Sequence, residues 1–253
     1  MRFIKGFWMA LGMFTAIPLP FHVWDEKLAK IMIMLLPIVG LVIGAIWWGI
    51  SLLLLAPGFP IVIVSAVLMV IPFLVAGFIH LDGYMDTSDA LLSYRPLEDK
   101  LRILKDPTVG AFAVVMLGIL FILQFAAVYT IADGGRYLAL FMAVCVISRS
   151  CSALAIFFLP HMPESNYIAM LGGSIGSGVK IAAGFIMAAA IGFSFLYAGP
   201  YGLIVAGAVV LGYALAIRKA CKAFTGVSGD LLGYSMVIGE LCGLIALALL
   251  QGF

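Results

Sequence analysis

The sequence predicts an all-α, polytopic integral membrane protein of about seven transmembrane helices plus an acidic helix–loop–helix at one membrane face. Three observations carry this. The 253 residues are 65% hydrophobic and only 10% charged, with a mean hydropathy of +1.23; a soluble domain carries about 25% charged residues. Apolar runs close to the ~20 residues needed to cross ~30 Å of hydrocarbon recur along the whole chain. Residues 80–110, HLDGYMDTSDALLSYRPLEDKLRILKDPTVG, gather Asp82, Asp86, Asp89, Glu98, Asp99 and Asp106, six of the twelve acids. No hydrophilic stretch is long enough for a separate soluble domain, so 1–253 reads as one membrane-embedded domain. The net charge of +2 is too small and too scattered for a nucleic-acid partner.

Taken in order, residues 1–17 form a short apolar helix stopped by Pro18 and Pro20. Arg2 and Lys5 before an apolar run resemble a signal peptide, but no small-residue cleavage site follows, so the segment reads as a retained entry or interfacial helix. The first span covers 31–55, where Gly40 and Gly44 make a small-xxx-small pair suited to close helix packing. Ala56-Pro57-Gly58 turns the chain into a second span at 61–79. Arg95-Pro96 and Asp106-Pro107 then break helices, because the residue before proline avoids the helical region. They leave an acidic helix at 82–94 and a short basic one at 97–105. Further spans follow at 111–132, 138–159, 181–198, 201–217 and 231–250, with a glycine-rich loop at 160–180 and a polar loop at 218–230.

The positive-inside rule sets orientation. With the acidic stretch in the cytoplasm, twelve of the fourteen basic residues fall on that side; Arg136 lies outside and Arg149 within a span. The expectation is a multi-pass protein of the cell membrane whose polar chemistry faces the cytoplasm.

On a helix, Asp82, Asp86 and Asp89 sit at i, i+4 and i+7, within a sector roughly 60° wide. Like charges so stacked repel. A bound Mg²⁺ or Mn²⁺ would remove that cost, since hard cations take carboxylate oxygens. The alternative is that Asp82 caps the helix and the others face water. Arg149, in Ile147-Ser148-Arg149-Ser150, needs a partner or a cavity in mid-span. It either pairs with an acid or binds an anionic group such as a phosphate. Glu240, inside the last span, has the same need. In the 218–230 loop, Gly226 and Gly229 allow a tight backbone, Ser228 is a candidate cap and Asp230 opens the next helix. Gly172 to Gly178 reads as a flexible loop rather than a phosphate cradle. Cys145, Cys151, Cys221 and Cys242 make no C-x-x-C pair and read as buried thiols.

These residues resemble a known family. His80-Leu81-Asp82-Gly83 with Asp86 and Asp89 looks like the H-x-D-G-x-x-D-x-x-D signature of cobalamin synthases, the adenosylcobinamide-GDP ribazoletransferases. Lys105-Asp106-Pro107 with Gly110-Ala111, and Thr225 to Asp230 with Leu232-Gly233, resemble two later blocks of that family. Phe14-Thr15 through Ile17-Pro18-Leu19-Pro20 resembles its N-terminal block. Ala90 and Ser228 depart from the pattern, though Ser228 keeps a hydroxyl.

The resemblance implies that α-ribazole or its 5′-phosphate attacks the phosphate on the cobinamide side chain of adenosylcobinamide-GDP, releasing GMP, with Mg²⁺ as cofactor. It implies Asp82, Asp86, Asp89 and Asp230 as metal ligands and Asp82, Asp86, Lys105 and Asp106 as catalytic residues. His80, Arg149, Ser228 and Asp230 would bind substrate, against a lipid bilayer; a homo-oligomer stays open. Two other readings compete. A CDP-alcohol phosphotransferase needs D-G-x-x-A-R, which is lacking after Asp86, and a cation-coupled transporter needs mid-span acids at a repeat interface.

Overall fold

The computed structural model describes residues 2–21, 23–56, 58–163, 165 and 176–252. Among them the secondary structure is helical, with a single isolated bridge between His161 and Val227. The helices are α1 (Arg2–Phe14), α2 (Ala29–Met34), α3 (Leu36–Leu55), α4 (Ile61–Val75), α5 (Ile79–Leu92), α6 (Leu97–Ile103), α7 (Ala111–Gly134), α8 (Leu140–Phe158), α9 (Ser177–Ala198), α10 (Pro200–Phe224) and α11 (Gly229–Leu249). Six of them, α3 and α7 to α11, are long and apolar enough to cross a membrane. The pair α4 and α5 makes a seventh span if counted together, bent by 92° at its break.

That break differs from expectation. The second span does not run on to 79; α4 ends at Val75 and α5 begins three residues earlier than the acidic pattern indicated. The turn between them uses left-handed backbone at Gly77 (φ 67°) and also at Phe78 (φ 62°), where a side chain makes that region costly. The Phe78 amide closes onto the Phe73 carbonyl at 2.9 Å, and the Val75 carbonyl accepts from the Ala16 amide at 2.9 Å. The chain just after α1 therefore braces the corner. The polar loop at 218–230 is also shorter than expected. Residues 218–224 continue α10, and the chain turns only at Thr225, which is left-handed (φ 66°). The glycines at 172–175 lie outside the described residues.

α8 is the central helix. Of its spanning residues 89% are buried, against 17% for α9, which faces outward. The small pair of α3 makes this packing close: a methyl group at Gly40 would collide with the Cys145 carbonyl, and one at Gly44 with the backbone of Met142. Trp47 and Phe141 stack at 4.2 Å across the same contact. α11 packs along α10, α5, α7 and α8. The α5–α11 crossing is tight in both directions: Gly83 lies against the backbone of Asp230 and Gly233 against that of His80. Two of the sequence blocks, 148 residues apart between Asp82 and Asp230, are thereby brought into contact.

Candidate active site

The α5–α11 crossing opens into a cavity of about 300 Å³. His80 and Asp82 enter it from α5; Ser228, Gly229 and Asp230 enter from the start of α11. Each is held by local structure. Asp82 follows the braced corner by one turn. Ser228 caps α11, accepting from the Leu231 amide at 3.4 Å. The loop carrying Ser228 is tied to the end of α8, with the Val227 amide donating to the Pro160 carbonyl at 2.8 Å and Met162 to the Val227 carbonyl at 3.1 Å. Tyr84, one turn below His80, stacks on Tyr234 of α11 at 5.8 Å and donates to the Met116 carbonyl of α7 at 3.1 Å.

The carboxylates do not share one environment. Asp82, Asp230 and Asp89 all act electrostatically on Asp86, and Asp82 on Asp230. Asp89, however, turns to the start of α7, where its carboxylate accepts from the amides of Phe112 (3.2 Å) and Ala113 (3.3 Å). An acid there satisfies otherwise orphaned N–H groups and complements the helix dipole. Among the described residues, no three His, Cys, Asp or Glu side chains converge as a ready metal cage. Mg²⁺ does not require one, since it keeps several waters and is commonly held by one or two carboxylates plus substrate phosphates. Asp82, Asp86 and Asp230 offer that donor set; Asp89 in this arrangement is occupied elsewhere.

Lys105 and Asp106 do not line the cavity. They follow α6, which buries none of its residues. Asp106 accepts from the Thr108 amide (2.9 Å) and hydroxyl (2.6 Å), which hold its carboxyl below the usual range. That bond pattern shapes the turn into α7.

Arg149 is not at the cavity wall either. Its guanidinium is buried at 1% exposure and paired with Glu240 of α11. Ser148 donates to the same carboxylate at 2.7 Å, and the Cys145 carbonyl accepts from Arg149 at 3.2 Å. Of the two readings of Arg149, the structure holds the structural ion pair. His80 stands between this pair and the cavity: it lines both the cavity and a small void beside Arg149 and Glu240, and its Nε2 is buried with no partner among the described residues. Sequence reasoning flagged Glu240 as needing a partner but did not match it to Arg149. It missed Ser152 of α8 and Met13 of α1, and gave Phe14 of α1 no site role beyond its place in the N-terminal block; all three line the cavity. Ser152 is one of three serines in α8, and the sequence does not tell which of them meets a cavity.

The profile of the cobalamin-5-phosphate synthase family matches residues 6–248, nearly the whole chain. The chain belongs to the cobalamin-5-phosphate synthase family. Its relatives within this synthase family agree. A protein from Clostridium botulinum (strain Alaska E43 / Type E3) named adenosylcobinamide-GDP ribazoletransferase is 38% identical over 97% of both chains. One of the same name from Clostridium perfringens (strain SM101 / Type A) is 34% identical over 98% of this chain and 99% of its own. Another from Lachnoclostridium phytofermentans is 30% identical over 100% of this chain and 96% of its own. No solved structure matches.

Proposed function

We propose that the chain is an adenosylcobinamide-GDP ribazoletransferase, joining α-ribazole or α-ribazole 5′-phosphate to adenosylcobinamide-GDP with release of GMP. The observation that carries the reading is the meeting of Asp82 and Asp230 at one cavity, in a chain matched to this synthase family over residues 6–248. Such transfers need positioning and charge neutralisation more than a protein nucleophile. In the reaction, a hydroxyl of the ribazole attacks the phosphorus attached to the cobinamide side chain. The bond from that phosphorus to the bridging oxygen of GMP breaks, and the electron pair leaves with GMP. The proton of the attacking hydroxyl passes to a carboxylate of the Asp82, Asp86 and Asp230 group.

Asp82, Asp86 and Asp230 would hold Mg²⁺, which would supply neutralisation of the diphosphate charge. Asp89 secures the start of α7 and so the α5–α7 contact, and Asp106 shapes the turn that presents Lys105. We place the cavity at the cytoplasmic face: twelve of fourteen basic residues fall on the side of the acidic stretch, and Arg136 at the far end of α7 falls on the other.

The test is GMP release by the purified protein in lipid. Release should require Mg²⁺, adenosylcobinamide-GDP and the ribazole together; release independent of the ribazole, or none at all from folded protein, would overturn the assignment.

A further inference from the structure

The cavity lining has two chemically different parts. The acids come from α5 and α11. An apolar part of the lining comes from Met13 and Phe14 of α1, Leu36 of α3 and Ile156 of α8. Ser152, one turn before Ile156 on α8, lines the cavity with them. Ser152 is 1% exposed, and its hydroxyl has no hydrogen-bond partner among the described residues. A buried hydroxyl left unmatched is unfavourable, so one facing a cavity points to a ligand group that would match it.

We infer that this apolar part is the seat of the ribazole's base, with Ser152 donating its hydroxyl proton to the free ring nitrogen. The inference rests on the reaction proposed above and assigns a place to one of its two substrates. The chemistry selects among the groups available. A benzimidazole-type ring carrying ribose on one nitrogen is apolar except for a single acceptor, the lone pair of the other nitrogen. Ser165 and Ser228 also line the cavity but have interactions within the protein, so the one unengaged serine hydroxyl, that of Ser152 among apolar side chains, matches that ring. Guanine, the other base in the reaction, presents donors and acceptors along two edges and would leave several unmatched against these side chains. The corrin ring with its amide side chains is far too large for about 300 Å³, so only the phosphate end of that substrate enters. The ribose hydroxyls of a ribazole seated here project toward Asp82 and Asp230, where the phosphate must be attacked.

The inference predicts a specificity that a structural role for Ser152 would not produce. GMP release in lipid is measured with saturating adenosylcobinamide-GDP and either α-ribazole 5′-phosphate or its indole counterpart, in which CH replaces the free ring nitrogen. The unsubstituted protein should prefer the benzimidazole compound on the order of tenfold in kcat/KM. Ser152→Ala should level the two compounds and leave the KM for adenosylcobinamide-GDP unchanged. Phe14→Leu should raise KM for both ring compounds alike and keep the preference between them. Undiminished discrimination by Ser152→Ala, or a shift confined to the KM of the corrinoid substrate, overturns the base seat while the reaction stands. No GMP release by the unsubstituted protein overturns the reaction, and the base seat with it.

Discussion

At the scale of single residues, the three signature aspartates and Asp230 divide by what each touches. Asp82 and Asp230 face the cavity, Asp86 stands within their electrostatic reach, and Asp89 accepts backbone amides of α7. Asp82→Asn should lower turnover by roughly a hundredfold or more, as losses of charge-stabilising groups at active sites do, with membrane insertion and thermal stability unchanged. Asp89→Ala should act first on stability, losing about 1 kcal/mol as a helix cap, visible as a lower Tm in detergent or nanodiscs. A stability change for Asp82→Asn and none for Asp89→Ala would reverse these roles. Arg149 and Glu240 form a buried pair whose single truncation costs about 3–5 kcal/mol. Arg149→Met alone should therefore unfold or severely weaken the protein. Arg149→Met with Glu240→Leu should recover much of the loss, because no charge is left stranded. A stable double variant with raised KM for both substrates would return Arg149 to a binding role.

At the scale of elements, the proposed site requires α5 to lie close on α11. The glycines at 83 and 233 each face the backbone of the other helix, so side chains at these positions force the helices apart. Gly83→Val should separate Asp82 from Asp230 and abolish GMP release, while the spans of α7 to α11 still insert. Gly40→Val, at the α3–α8 contact, should instead lower Tm, since it wedges the central helix without touching the cavity wall. Comparing activity per folded molecule in the two variants distinguishes a misplaced site from a destabilised bundle. The corner at 76–78 belongs to the same scale. Its left-handed Phe78 holds α5 at 92° to α4 and presents the acidic face to α11 instead of continuing the span.

At the scale of the molecule, the proposed orientation puts the site and Arg136 on opposite sides of the membrane, a placement that rests on the charge distribution. In a chain whose four cysteines are replaced by alanine, Arg136→Cys should react with an impermeant thiol reagent added outside intact cells. Lys105→Cys should react only after permeabilisation. The reverse pattern would turn the cavity outward. The α7 and α11 ends are joined on the far side, where Gln251 accepts from the Arg136 amide at 3.1 Å and donates to its carbonyl at 3.1 Å. Those bonds keep Arg136 with the helix ends opposite the acids.

The amino-acid sequence by itself determined the all-α membrane class, most of the span positions and the aspartate signature. Each of these rests on local properties: apolar run length, proline breaks and the angular period of a helix. It also marked Arg149 and Glu240 as charges in need of partners, because a mid-span charge is costly wherever its helix packs. Only the tertiary structure decided that the two satisfy each other and that Asp89 turns to α7. It alone closed the cavity with Ser152 and Phe14 and extended α10 through 218–224. These outcomes depend on which helices become neighbours. That choice is made by close backbone contacts at Gly40, Gly44, Gly83 and Gly233, and by one left-handed turn at Phe78. A pattern along a single helix does not record which neighbour will lie against it.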